Sequence, residues 1–556
     1  MTRRAHSDAP LPRTALRGAR PWQRFKADEE GSLFVFGMVL FILMIMVGGI
    51  AVDVMRYEQR RTALQQTTDR AVLAAASLTQ DLDPTAVVND YFDKAQLTDY
   101  LRSVTVTEGL NFRNVEADAR ADLRNFFMQM IGIPEFEVPA ISQAEQRINN
   151  VEIVMVLDIS GSMNTNNKAG NLKTAASEFV DTVLSNDAAD RIAVSMVPYN
   201  GQVNLGPVLR SKFNVTAHSG TTHVDCVDMP ASVYSTETMS RTLAMPATAH
   251  ADTYSSTSQS TSYVAIQGHT INALGQHSNN WCPPLPNNIV RVMGNDIGVL
   301  QAQIQALDVI GATSINAGLR WGLTLIDPAQ RPLINELVAE GHVDAAFAGR
   351  PFDWTDEEAM KVIILMTDGE HFAEDRVNTA YKSGNAPIWY SSNDNAYAIR
   401  HTSGRPSTAG SNEYWYPARN SGAGEWRSGV LSGYTQQTWP QVWARARVQW
   451  VAWQLYARAL GTSSSTRTST FNTWMSNFRS QTAIPTMDSQ LNQVCNYAKN
   501  RRVIIYGIAF EAPANGRAAI ESCASSPAHY FNAQGLDIRT AFRAIAANIS
   551  QLRLTQ

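Results

Sequence analysis

One stretch, 151–162 (Val-Glu-Ile-Val-Met-Val-Leu-Asp-Ile-Ser-Gly-Ser), restricts the folds open to this chain more than any other. A continuous apolar run such as Ile153–Leu157 suits a parallel strand buried on both faces. It runs directly into the pattern D-x-S-x-S at Asp158, Ser160 and Ser162. In open α/β sheets, ligands collect beyond the carboxyl ends of such strands. A carboxylate and two hydroxyls placed there are hard oxygen donors of the kind Mg²⁺ prefers. Taken alone, the pattern reads equally well as a helix N-cap with a capping Ser. Further donors have to come from other strand ends.

Two later stretches offer them. Gly311-Ala-Thr-Ser-Ile-Asn-Ala-Gly-Leu places Thr313 ahead of a helix to about Ile326, and Lys361-Val-Ile-Ile-Leu-Met-Thr-Asp-Gly-Glu is a second buried strand, delivering Asp368 to a Gly-containing turn. Arg191–Pro198 and Val503–Phe510 read as further strands, with Gln202–Leu205 returning as a short antiparallel edge. Lys168–Leu184 and Leu536–Leu552 read as helices. Strands alternating with helices predict an α/β fold, a doubly wound, mostly parallel, Rossmann-like sheet.

Together the three loops resemble the von Willebrand factor type A domain and its metal-ion-dependent adhesion site, over roughly 150–556 once two insertions are set aside. The resemblance implies that Ser160, Ser162 and Thr313 bind Mg²⁺ or another divalent cation through hydroxyls, while Asp158 and Asp368 supply charge directly or through water. It also implies a coordination position left for a carboxylate from a protein partner. Catalysis would need a positioned base as well. His371, three residues past Asp368, is the one nearby candidate, and as a loop histidine it is expected to be exposed and solvated. No enzymatic role is expected.

The amino-terminal part has a different logic. Residues 1–30 read as a disordered cytoplasmic tail. Gly31–Val52 carries no charge and is long enough for a helix to cover the ~30 Å hydrocarbon core. Arg3, Arg4, Arg13, Arg17, Arg20, Arg24 and Lys26 precede it, which predicts an inside amino terminus. Asp53 and Arg56 follow without a small-x-small cleavage site, so an uncleaved anchor is expected over a secretory signal. Tyr57, Leu64, Ala71 and Leu78, with Thr68 and Ala75 between them, form a narrow helical seam reaching about Thr79 and ended near Pro84. Glu30-Gly31, the apolar span, Asp53, Arg56, Leu64-Gln65, Asp69 and Ala71–Ala76 resemble the TadE/TadG-like amino terminus of Flp pilus (tight adherence) assembly systems. Phe36 stands where a processed pilin carries Glu, so cleavage and polymerisation as a pilin are not expected.

Residues 84–150 are expected to form a small α+β spacer: a helix over 85–101, short strands at Val104–Thr107 and Phe136–Val138, and an apolar-faced helix at Leu123–Ile131. Two insertions interrupt the main domain, at about 205–295 and 372–500. The first is rich in Ser and Thr and holds His218, His223, His250, His269 and His277. Zinc on His218, His223 and Cys226 is its sharpest reading, but that spacing fits no standard zinc pattern. The four cysteines contain no C-x-x-C and admit three pairings. Cys226–Cys282 and Cys495–Cys523 are favoured because each pair shares a sequence neighbourhood, and both suit an oxidising compartment. In the second insertion Trp443, Trp450 and Trp453 fall on one face of a helix over Pro440–Leu460, a spacing that predicts packing.

A net charge of −4 gives no electrostatic case for nucleic acid. The expectation is a single-pass inner-membrane protein, its bulk periplasmic or otherwise extracytoplasmic, binding pilus or envelope proteins in assembly or anchoring of a Flp-type pilus. A surface adhesin for a host or neighbouring cell is the alternative. A metal-binding subunit of an enzyme complex is the alternative from another class, and the anchor and disulfides speak against it.

Overall fold

The computed structural model describes residues 31–77, 82–108, 112–147, 150–185, 187, 190–217, 224–356 and 358–550. The tail 1–30, Leu78, His218 and His223 lie outside them. The chain divides into two compact units, the first ending at Gln146.

In the first unit, helix α1 spans Ser32–Ala75 and is long and apolar enough to cross a membrane. Its amino-terminal half presents Leu33, Phe34, Phe36 and Phe41 outward. Farther along, Leu64, Thr68, Ala71 and Ala75 are buried, so the seam faces protein. Helix α2 (Pro84–Lys94) starts on Asp83, whose carboxylate accepts the Ala86 N–H at 2.8 Å. Three antiparallel strands follow, β1 (Leu101–Glu108), β2 (Phe112–Arg124) and β3 (Glu135–Arg147), in that order across the sheet.

Two expectations are corrected here. The helix expected over 85–101 stops at Lys94, and the one expected at Leu123–Ile131 is a single 3₁₀ turn, Met128–Ile131. Ahead of that turn β2 reaches Arg124 because Val115, Ala117, Ala119 and Ala121 alternate with polar residues and are all buried. That period of two belongs to a half-buried strand, although alanine by itself favours helix. Gln65 and Asp69 both bond Ser142 of β3, the first at 2.9 Å, tying α1 to the sheet.

The second unit is built on a six-stranded sheet. Its strands are β4 (Asn150–Asp158), β5 (Ile192–Tyr199), β6 (Arg291–Gly294), β7 (Ala359–Thr367), β8 (Ile504–Phe510) and β9 (Tyr530–Ala533), in the order β9-β8-β7-β4-β5-β6. All neighbours are parallel except β5 and β6. Helices lie on both faces. Ile153, Met155 and Leu157 pack with α3 (Lys168–Leu184), α4 (Ile297–Ala306) and α8 (Asp537–Ser550). Val154 and Val156 pack with α5 (Ile315–Ile326), α6 (Ile484–Asn500) and α7 (Ala514–Cys523). Helix α5 sits close to the sheet because residue 318 is glycine: a Cβ there would lie 2.6 Å from the Tyr199 ring.

The antiparallel edge strand is Arg291–Gly294, and of Gln202–Leu205 Val203 alone returns antiparallel, in an isolated bridge to Tyr199. The stretch after β5 is held by the loop ahead of α5 instead: Ser314 N–H donates to Asn200 O at 2.8 Å, and Asn200 Nδ2 donates to Ile310 O at 3.1 Å. The first insertion therefore ends before β6. The second ends before α6, whose Leu491, Val494 and Ala498 belong to the main core. Within the second insertion, 385–438 forms a five-stranded antiparallel sheet. Trp443, Trp450 and Trp453 are buried, and each indole N–H finds a carbonyl: Tyr381 O at 2.7 Å, Ala265 O at 3.0 Å and Ser260 O at 2.8 Å. The helix expected over 440–460 is broken, with Trp439–Trp443 and Val448–Val451 helical and a π-helical stretch at Ala452–Ala457.

A candidate metal centre at the carboxyl ends of the strands

Parallel register brings the chemistry to one edge. Asp158 ends β4 beside Tyr199, the last residue of β5, and Leu157 pairs with Met366, which sets Asp158 against Thr367 at the end of β7. The Thr367 hydroxyl donates to Asp158 Oδ2 at 2.7 Å, and Ser160 N–H donates to Asp158 Oδ1 at 2.8 Å. The following turn aims the two serines across β4 toward β7. Ser162 Oγ donates to Asp368 Oδ1 at 2.7 Å, Ser160 Oγ lies 3.4 Å from the same oxygen, and the two hydroxyls are 2.9 Å apart.

The loop carrying Thr313 is drawn in by Gly311. Its φ of +91° is open to glycine at little cost, and its carbonyl accepts the Gly161 N–H at 2.9 Å. Thr313 Oγ1 and Ser162 Oγ both lie within 4 Å of the point a Cβ on Gly369 would occupy, at 3.6 and 3.8 Å. All five residues read from the sequence thus meet at one place. Asp158, Ser160, Thr313 and Asp368 are buried and Ser162 is exposed, so the cluster opens to solvent on one side.

The oxygen spacings fit a hard cation. An octahedral ion with bonds of about 2.0–2.1 Å has neighbouring ligand oxygens about 3 Å apart, and Ser160 Oγ, Ser162 Oγ and Asp368 Oδ1 form a triangle with sides of 2.7, 2.9 and 3.4 Å. Charge points the same way. Burial and the neighbouring Asp368 carboxylate push the Asp158 carboxyl up to about 7. One local cation answers that charge: Lys168, itself buried, donates from Nζ to Asp368 Oδ2 at 3.0 Å.

Lys168 has no place in the sequence motif. It arrives at the far side of Asp368 through Asn166 and Asn167, both in left-handed conformation, and that turn carries no reliable signal in the sequence. His371 corrects another expectation. It is buried rather than solvated, accepting the Asn316 N–H at Nε2 (3.1 Å) and meeting Asp488 at Nδ1 (2.7 Å). Both ring nitrogens are spent on tying this loop to α5 and α6. Beside the cluster lies a cleft of about 150 Å³ whose lining includes Tyr254, Trp281, Gly311, Ala312 and Phe372. Tyr254 and Phe372 are exposed, with ring centroids 5.4 Å apart.

The cysteines form two disulfides, Cys226–Cys282 and Cys495–Cys523. The first closes a loop in the first insertion and the second joins α6 to α7. Cys226 is therefore committed to sulfur, and the zinc reading built on it fails for that reason.

Among solved structures, the pilus adhesin SpaC from Lactobacillus rhamnosus GG is similar at 12% identity and a TM-score of 0.29, over 81% of this chain and 34% of that one. The present chain thus spans about a third of SpaC. The vWF domain of the type V pili tip protein Mfa5 from Porphyromonas gingivalis matches at 13% identity and 0.30, over 73% of this chain and 96% of that one. The adhesive tip pilin GBS104 from Group B Streptococcus agalactiae matches at 14% and 0.28, over 72% and 100%. No curated protein matches the sequence. Residues 31–78, which contain the apolar span, Asp53, Arg56 and the buried seam, match the family described as putative Flp pilus-assembly TadE/G-like, so the amino-terminal segment of this chain is TadE/G-like.

Proposed function

We propose that the second unit is a doubly wound von Willebrand A-type domain. In this reading α1 anchors it in the inner membrane, with the amino terminus in the cytoplasm and the bulk of the chain outside. Its metal-dependent site engages a protein partner in assembly or envelope anchoring of a Flp-type pilus. The role is binding, not catalysis. The observation that carries the reading is the triangle of hard oxygens at the strand ends, opening to solvent beside an exposed aromatic cleft.

Ser160, Ser162, Thr313 and Asp368 would hold a divalent cation such as Mg²⁺, and Asp158 would add charge from behind. The bound ion would supply a Lewis-acidic seat for a carboxylate. Tyr254 and Phe372 give the partner an apolar surface next to that seat, which suits an acidic residue flanked by an apolar side chain. The test is retention of solubilised envelope proteins by the full chain in detergent, with Mg²⁺ or with a chelator. A pilus or envelope component held only with Mg²⁺ is expected. Equal retention in both conditions would reject the metal dependence.

A further inference from the structure

We propose that His250, His269 and His277 form a second metal site, for a transition-metal ion of the zinc type, in the first insertion. One ring nitrogen from each histidine lies within 4.8 Å of one from each of the others. Their ring centroids are 4.6, 4.8 and 5.1 Å apart, with interplanar angles of 24–27°. Three rings stacked in a column would put the outer pair at about twice the neighbour spacing. Three nearly equal separations instead place the rings around a common point, roughly 3 Å from each centroid, close to the stand-off set by a bond of about 2.0–2.1 Å to a ring nitrogen.

The surroundings resemble those that orient imidazole ligands. His269 Nε2 lies 2.8 Å from the Trp443 carbonyl, the kind of outer hydrogen bond that fixes a ligand histidine's tautomer. The buried Asn280 amide lies between two of the rings, 2.8 Å from His269 Nδ1 and 3.1 Å from His250 Nδ1, and it has to swing aside for an ion to reach His269 Nδ1. His277 Nδ1 is shielded from solvent and has no hydrogen-bond partner among the described residues. A nitrogen in that position gains a partner when an ion binds. The buried carboxylate of Asp252, whose backbone bridges to Asn280 and which accepts the Thr270 N–H at 3.0 Å, adds negative charge nearby. Imidazole nitrogens suit zinc and its neighbours rather than Mg²⁺, so this site and the Asp158 site select different ions. Because Trp443 belongs to the second insertion, the hydrogen bond of His269 ties the site to that insertion.

The test uses the full chain in detergent, purified without a polyhistidine tag, loaded with Zn²⁺ or Co²⁺ and desalted. One equivalent is expected in the wild type and in Asp158→Ala, with the visible absorption of nitrogen-ligated Co²⁺. His277→Ala should lose that equivalent while keeping the metal-free Tm, since His277 is only half-buried. No retained metal in the wild type, bound Co²⁺ without nitrogen-ligand bands, or equal retention by His277→Ala would each overturn the site. The cobalt spectrum of the wild type decides the matter without any variant.

Discussion

Asp53 in the first unit and the Asp158–Asp368 pair in the second are all buried, and their charges are treated in opposite ways. In the first unit Asp53, fully buried just past the apolar span, accepts three backbone N–H groups, from Phe126 at 3.0 Å, Phe127 at 2.7 Å and Met128 at 2.9 Å. Its charge is answered by the turn at the head of Met128–Ile131, with Arg56 at 3.7 Å in support. Gly49, one helical turn earlier, lets the Phe127 ring lie against the helix, since a Cβ there would come within 2.3 Å of that ring. In the second unit Asp158 and Asp368 are buried side by side, and one lysine serves the pair. A buried carboxylate with a complete set of amide donors is a structural clasp. Two that share one counter-charge are poised for another cation.

That contrast is open to direct attack, and the largest effect is expected at Lys168. Among the described residues Lys168 is the one cation paired with Asp368; Lys168→Met removes it, and losing one partner of a buried pair costs about 3–5 kcal/mol. The Tm of the metal-free chain should fall by a corresponding margin, and Mg²⁺ should restore more of it than it adds to the wild type. An unchanged Tm would mean that Lys168 does not balance the site.

Asp53→Ala comes next. It strands three amides and destabilises the first unit alone. Hydrogen exchange at 126–128 should accelerate while the response of the second unit to Mg²⁺ stays as it was. Protection that persists at those amides would show that Asp53 is not their main acceptor.

Asp158→Ala should remove the Mg²⁺-dependent gain in thermal stability, about 2.7 kcal/mol when the ion is at 100 times its Kd. A full shift in that variant would dismantle the centre as described.

The smallest effect concerns pH. The Asp158 carboxyl is raised from 3.8 to about 7 by burial and by Asp368. Between those values the unfolded chain has lost this proton while the folded chain keeps it, so the metal-free protein loses stability as pH rises through that window. Metal binding requires the ionised form, so the Mg²⁺-induced stabilisation should run in the opposite sense, about 1 kcal/mol larger at pH 8 than at pH 6. A pH-independent Mg²⁺ response would remove Asp158 from the linkage.

Much of this was legible in the chain itself. The apolar runs of β4 and β7 announce buried strands, and the residues at their ends bring Asp158, Ser160, Ser162 and Asp368 to one edge, where the loop ahead of α5 adds Thr313. The seam at Leu64, Thr68, Ala71 and Ala75 is buried as its spacing demands. Strand β2 was obscured because alanine's helical preference competes with its alternation. The buried face of α6 follows a helical spacing at Leu491, Val494 and Ala498, but a helix adjoining a long insertion gives no sign of which core it joins.

Local pattern determines which segments are strands or helices and which polar groups stand at their ends, since burial periodicity and turn chemistry act over a few residues. Lys168 at Asp368, the imidazole of His371 locked between Asn316 and Asp488, and three histidines gathered from 250, 269 and 277 were decided only by tertiary packing. The charge on a buried group depends on whatever other loops bring within a few ångströms of it, and sequence separation says almost nothing about that.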